Sequence, residues 1–180
     1  MTRCVKGLEW AQQLLERPRG IPIGRPRGRK AAGVRYERLV AAAVAGAQAS
    51  LWWEFRDRAG PGVCQTDLLL VGKRSALVLE CKYTCTDAAW VQLEQLYGPV
   101  VGRALGLPVL LVQVCKVLTP EAGDVTSDLA EAVEFARRGR RPVLHWCGVG
   151  RLWPSAPVSV PVRLFAPCPI RAAVPTLAAR

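Results

Sequence analysis

Val63-Cys64-Gln65-Thr66-Asp67-Leu68-Leu69-Leu70-Val71-Gly72-Lys73-Arg74-Ser75-Ala76-Leu77-Val78-Leu79-Glu80-Cys81-Lys82-Tyr83 decides the fold of this 180-residue chain. Two runs of branched apolar residues flank Gly72-Lys73-Arg74-Ser75, whose length and chemistry suit a hairpin turn. The spacing predicts antiparallel strands over Val63–Val71 and Ala76–Tyr83. Three charges interrupt these runs, Asp67 in the first and Glu80 and Lys82 in the second. An ionised group in a buried strand is costly unless something answers it. Residues two apart on a strand share a face, so Glu80 and Lys82 project together, and the hairpin can bring Asp67 beside Glu80. Two hard oxygen donors suit Mg²⁺ or Mn²⁺, which keep several waters and complete their shell with substrate phosphate. Lys82 is then placed to orient or help deprotonate an attacking water, which points to phosphodiester hydrolysis.

The flanking sequence places this hairpin in an α/β plan. Ala31 to Ala49 is alanine-rich and reads as a helix, with Val34, Glu37, Ala41 and Val44 on the face turned to the core. Leu51–Arg56 has aromatic strand character, broken by Ala59-Gly60-Pro61-Gly62. Thr86 can cap a helix from Asp87 that kinks at Pro99 and stops near Gly106 and Pro108. Val109–Cys115 is nearly all apolar, as expected of a strand buried on both faces and parallel to its neighbour. Asp128–Arg138 reads as a further helix and Pro142–Gly148 as a last strand. In this plan the core domain occupies residues 31–150, with terminal extensions at 1–30 and 151–180.

Val5 to Glu16 has helical apolar spacing and predicts a short amphipathic helix. From Arg17 to Lys30 three prolines, repeated glycines and six cations predict an extended basic linker. The prolines after Trp153 predict an extended arm. The formal charge is +11, with 25 Lys and Arg against 14 Asp and Glu, so a polyanion such as DNA is the expected partner. Gly24-Arg25-Pro26-Arg27-Gly28-Arg29-Lys30 resembles an AT-hook, although Lys30 stands where that element has its second proline; a solvated linker contacting phosphate is the alternative. Arg25, Arg27, Arg29 and Lys30 are the candidate DNA contacts. Seven scattered cysteines, mostly in apolar runs, suit buried thiols in a reducing compartment, and the spacing argues against zinc or iron–sulfur. No run approaches a membrane span and no apolar signal core opens the chain, so a cytoplasmic protein without membrane contact is expected. His145, the sole histidine, reads as a structural strand residue.

Asp67 followed by Glu80-Cys81-Lys82 resembles the PD-(D/E)XK nuclease superfamily, the restriction-endonuclease-like proteins, over roughly Gly33 to Lys116. The resemblance implies an α-β-β-β-α-β core with a mixed central sheet flanked by helices. It also implies Asp67 and Glu80 as metal ligands, the Cys81 carbonyl as a further ligand, Lys82 as the catalytic lysine, and Glu37 as an acid binding metal directly or through water. Thr66 stands where the family usually has proline. Exonuclease-like members carry a glutamine and a tyrosine one turn apart on the following helix; here Gln92 and Tyr97 are five apart, an imperfect match. The small size and single core resemble Holliday-junction resolvases, which implies a homodimeric, structure-selective Mg²⁺-dependent endonuclease of recombination or repair. An exonuclease or single-strand nuclease is the alternative enzyme. A non-catalytic nucleic-acid-binding or assembly protein is the alternative class, against which the complete Asp67, Glu80 and Lys82 set argues.

Overall fold

A computed structural model describes residues 3–21, 27–149 and 152. Its elements are β1 (Trp10–Leu14), α1 (Gly28–Ala43), β2 (Gln48–Asp57), β3 (Gly60–Val71), β4 (Ala76–Thr84), α2 (Asp87–Gln92), a π-helical turn (Leu93–Tyr97), α3 (Gly98–Leu105), β5 (Val109–Val117), β6 (Asp124–Thr126), α4 (Leu129–Arg137) and β7 (Pro142–His145). The strands form one mixed sheet of seven in the order β1-β2-β3-β4-β5-β7-β6. β1 to β4 pair antiparallel, and β5, β7 and β6 continue the sheet in parallel. Tyr36, Val40 and Val44 of α1 and Leu129 and Ala132 of α4 are buried against one face, and Trp90 of α2, Leu93 of the π turn and Val100 of α3 against the other. Burial on both sides explains why β4 and β5 carry near-continuous apolar runs. Among the described residues no helix is long and apolar enough to cross a membrane.

The central hairpin closes where its turn residues predict, with the Gly72 amide donating to the Ser75 carbonyl at 2.9 Å. Thr86 caps α2 by accepting from the Ala88 amide at 3.3 Å, and Asp128 caps α4 by accepting from Ala130 at 2.6 Å. Gly106 ends α3 in the left-handed conformation, φ 64°, that glycine adopts without a Cβ clash. Gly62 is needed for space: a Cβ there would lie 2.5 Å from the Phe55 ring across the β2–β3 pair.

Several expectations are corrected. Val5–Glu16 does not form a helix; Trp10–Leu14 adds to the sheet as β1, antiparallel to β2. An uncovered β2 would present a free row of amides and carbonyls beside Trp52, Trp53 and Phe55, and satisfying that edge outweighs local helical spacing. The Val5 amide donates to the Gln95 carbonyl at 2.9 Å, tying the segment also to the π turn. The basic linker is shorter than its composition suggests, because Gly28–Lys30 already belong to α1. That helix stops at Ala43 rather than Ala49: the chain reverses through Gly46, φ 78°, and Gln48 and Ala49 join β2. The core face of α1 is only partly as expected: Val44, just past the helix, is buried and Ala41 packs against the core, but the helix buries Tyr36 and Val40, while Val34 and Glu37 with Ala41 line a surface cleft. Pro99 falls just after the π turn in a run that stays helical from Asp87 to Leu105, and the Gln95 carbonyl, which its missing amide cannot meet, accepts the Val5 amide at 2.9 Å instead. The last strand stops at His145, and β6 joins the sheet edge beside it. The expected C-terminal arm lies outside the described residues apart from Leu152, which is buried against α1's cluster.

Candidate active site

The site is set by a fork in the sheet. β3 and β4 pair over Val71↔Ala76 to Leu68↔Leu79 and then separate. Beyond that point β4 pairs with β5, through Glu80↔Gln113 and Lys82↔Cys115, while β3 pairs with β2. Asp67 and Glu80 are the first residues past the apex. The β2–β3 ladder also skips Asp67, passing from Ala49↔Leu68 to Leu51↔Thr66. The residue left opposite, Ser50, has φ 56°, a left-handed conformation uncommon outside glycine and frequent where backbone strain accompanies function. Asp67 is thus released from pairing on both sides. Its Oδ2 accepts the Cys81 amide at 2.8 Å, bridging the fork with a side chain.

Around this point stand three carboxylates and one ammonium. Glu80 is 1% exposed, and its Oε1 pairs with the Lys82 ammonium. Its Oε2 is buried without a hydrogen-bond partner. Burial and the Glu80 charge push the Asp67 carboxyl up to about 7. Burial raises Glu80 as well, despite Lys82. On α1, burial and the Asp67 carboxylate raise Glu37. Burial works to lower Lys82, but Glu80, Asp67 and Glu37 outweigh it and hold the ammonium charged. A group of carboxylates this desolvated, with one ammonium among them, is short of positive charge.

The expected residues Asp67, Glu80, Lys82 and Glu37 are therefore brought together, with the main chain of Cys81 at the fork. The Cys81 side chain points into the core beneath α1 and is not part of the site. Among the described residues no three His, Cys, Asp and Glu side chains form a ready ligand cluster. The oxygen donors brought together are the Asp67 and Glu80 carboxylates and the half-buried Glu37. Hard oxygen donors with an unpartnered buried carboxylate oxygen fit a divalent cation that retains water.

Gln92 and Tyr97 also meet. The Gln92 amide donates to the Tyr97 hydroxyl, and the Glu80 and Asp67 charges, after burial, contribute to raising the Tyr97 phenol. A spacing of five fails for an α-helical turn but suits the π turn that the chain makes here. Of the basic residues, Arg25 lies outside the described residues, Arg27 is exposed, Arg29 falls within α1, and Lys30 lines the cleft of about 380 Å³ that Asp67 and Glu37 open into. His145 stands at the end of β7, its Nε2 3.0 Å from the Lys116 carbonyl, away from the fork.

Other residues of the site carried weaker signals in the sequence. Gln113 is fully buried beside Glu80 on β5, with its Nε2 unpartnered; an amide within an apolar strand was the visible clue. Arg38 and Gln65 line the same cleft, and neither stands in a motif. Thr66, in the place of the usual proline, is buried and accepts the Trp53 indole N–H at 3.1 Å. No family model matches this chain, and neither a curated protein nor a solved structure does.

Proposed function

We propose that this chain is a metal-dependent DNA nuclease with a restriction-endonuclease-like core, a structure-selective endonuclease of the Holliday-junction-resolvase kind acting in recombination or repair. The core order α1-β2-β3-β4-α2/α3-β5 and the positions of Asp67, Glu80 and Lys82 at the fork support this reading. The observation that carries it is the convergence of the Asp67, Glu80 and Glu37 carboxyls, all raised by burial, on the Lys82 ammonium at the fork. Asp67, Glu80 and the Cys81 carbonyl, with Glu37 at the rim, would hold Mg²⁺ or Mn²⁺, which offsets charge developing on a scissile phosphate and makes water more acidic. Lys82 orients the attacking water from the same strand face as Glu80. Lys30 and Arg38 border the cleft and hold the flanking phosphates. A homodimer would present two such clefts to opposite strands of a junction.

The Gln92–Tyr97 hydrogen bond favours a second reading, an exonuclease or single-strand nuclease, because it restores the glutamine–tyrosine pair that the family's exonuclease-like members carry. One experiment separates the two. The purified full chain is incubated with Mg²⁺ or Mn²⁺ and end-labelled linear, nicked, single-stranded and four-way DNA. Paired internal nicks in the four-way substrate support the resolvase reading, and short products released from ends support the exonuclease. Full cleavage in excess chelator, or none on any substrate, contradicts the nuclease.

A further inference from the structure

On the other side of α1 from the acidic cleft lies a second concavity of about 260 Å³, lined by Arg35, Tyr36, Leu39, Tyr83 and Lys116 among others. Tyr83 follows Lys82 on β4 and projects to the opposite face, so the strand and helix that carry Lys82 and Glu37 also wall this pocket. The Tyr83 ring is 41% exposed, unusual for an aromatic residue so close to a core. It is nevertheless fixed: Tyr36 meets it edge-on, ring centroids 6.2 Å apart, and Tyr36 is itself anchored by its hydroxyl donating to the Trp146 carbonyl at 2.9 Å. The Lys116 ammonium stands 5.4 Å from the Tyr83 ring centroid. Two cations and no carboxylate are among the lining residues.

A rigid, exposed aromatic face bordered by cations is the arrangement by which proteins bind unpaired nucleotides: the ring stacks on a base and the cations take the adjoining phosphates. A continuous duplex cannot use it, because its bases are stacked on one another. We propose that Tyr83, with Lys116 and Arg35, forms a stacking site for an unpaired nucleotide of DNA bound at the Asp67–Glu80 cleft, which favours DNA with unpaired bases as substrate, and so the single-strand or exonuclease form of the nuclease reading, over a fully paired four-way junction. Lys116 now occupies the ring face, and its flexible stem lets it move to the phosphate when a base stacks. Leu39, 52% exposed, supplies the apolar wall against which the base edge rests. This site rests on the nuclease reading, and the pocket sits one residue along β4 from the catalytic lysine.

The test is binding in Ca²⁺, which suppresses cleavage, of a fluorescent single-stranded oligothymidylate and of a duplex of equal length, measured by anisotropy. Wild type is compared with Tyr83→Ala, Tyr83→Trp, Lys116→Gln and Lys82→Ala. Tyr83→Ala should weaken single-strand binding by roughly 5- to 100-fold and duplex binding by less than about twofold, while Tyr83→Trp restores the single-strand affinity. Lys116→Gln should weaken single-strand binding less and reduce its salt dependence. Unchanged single-strand affinity in Tyr83→Ala, or equal losses on both DNAs, would overturn the stacking site. Thermal unfolding of each variant checks that the fold persists. If wild type binds and cuts DNA while Tyr83→Ala does so equally well, the stacking site alone fails; if wild type neither binds nor cuts any DNA, the nuclease reading fails with it.

Discussion

Asp57 and Glu80 are the two buried acids of the sheet, 2% and 1% exposed, and their surroundings answer their charges in opposite ways. Asp57 ends β2, where the Arg3 guanidinium pairs with its Oδ1 and the Ala59 amide donates to the same oxygen at 2.9 Å. The Arg3 hydrogen bond holds its carboxyl below the usual range. Glu80 has Lys82, but it shares that ammonium with Asp67 and Glu37, and burial raises all three carboxyls. Hydrogen-bond counting does not separate the two places, since Asp57 Oδ2 and Glu80 Oε2 are both unpartnered. Charge does: one carboxylate meets one guanidinium at the first, while at the second three converge on Lys82 and are raised by burial, although Arg38 also acts on Glu37 at the rim. The first is a structural clasp that fastens the N-terminal segment to the β2–β3 turn. The second is under-compensated, which is the property the proposed cation site rests on.

The difference breaks most visibly in catalysis. On the proposed nuclease reading, Lys82→Ala leaves both cleft carboxylates in place but removes the group proposed to orient the nucleophile, so single-turnover cleavage should fall by roughly 10²- to 10⁴-fold while DNA binding persists. Substituting Arg3 by alanine, the corresponding loss at the clasp, should leave cleavage within about threefold and act on stability. Wild-type rates in Lys82→Ala would remove that lysine from the mechanism.

A smaller effect concerns pH and has opposite signs at the two places. Asp67 has a folded pKa of about 7, above the unfolded value of about 4. Its contribution to stability is therefore fully present below about pH 4 and lost as pH rises through 7. Asp67→Asn keeps an acceptor for the Cys81 amide and drops the charge, so in chelator at pH 8 it should be more stable than wild type by about 1–4 kcal/mol, with the gap closing toward pH 4. Asp57 has a lowered pKa, so its contribution is present above about pH 4 and is lost as pH falls through that lowered value. Asp57→Asn should accordingly melt below wild type at pH 8, and this gap too should close in acid. Thermal unfolding at pH 4, 6 and 8 reads both. A destabilised Asp67→Asn at pH 8 would mean that the cluster is a structural ion network like the clasp.

Much of this contrast was visible in the sequence, because it depends on local pattern. Alternation placed Glu80 and Lys82 on one face, Gly72–Ser75 gave the turn, and Thr86 announced its helix by capping chemistry. What depended on distant partners was hidden. The β1 strand exists because β2 has an edge to cover, and nothing within Val5–Glu16 records that edge. The fork at Leu68↔Leu79 is set by where β3 continues beside β2 and β4 beside β5, so the release of Asp67 could not be read from its neighbours. The Gln92–Tyr97 pair was misjudged by assuming 3.6 residues per turn where the chain makes a π turn. Tyr83 read as the end of a strand, since the cations that give it a role come from α1 and β5.

The most direct test of the charge-deficit account is thermal unfolding of wild type, Asp57→Asn and Asp67→Asn at pH 7.5, with and without millimolar Mn²⁺. A cation bound only by the folded protein raises the midpoint by an amount that grows with the logarithm of its concentration relative to its dissociation constant. The account predicts that Mn²⁺ raises the midpoints of wild type and Asp57→Asn equally. Asp67→Asn should begin above wild type and gain little. An equal Mn²⁺ shift in Asp67→Asn, or no shift in wild type, would contradict it.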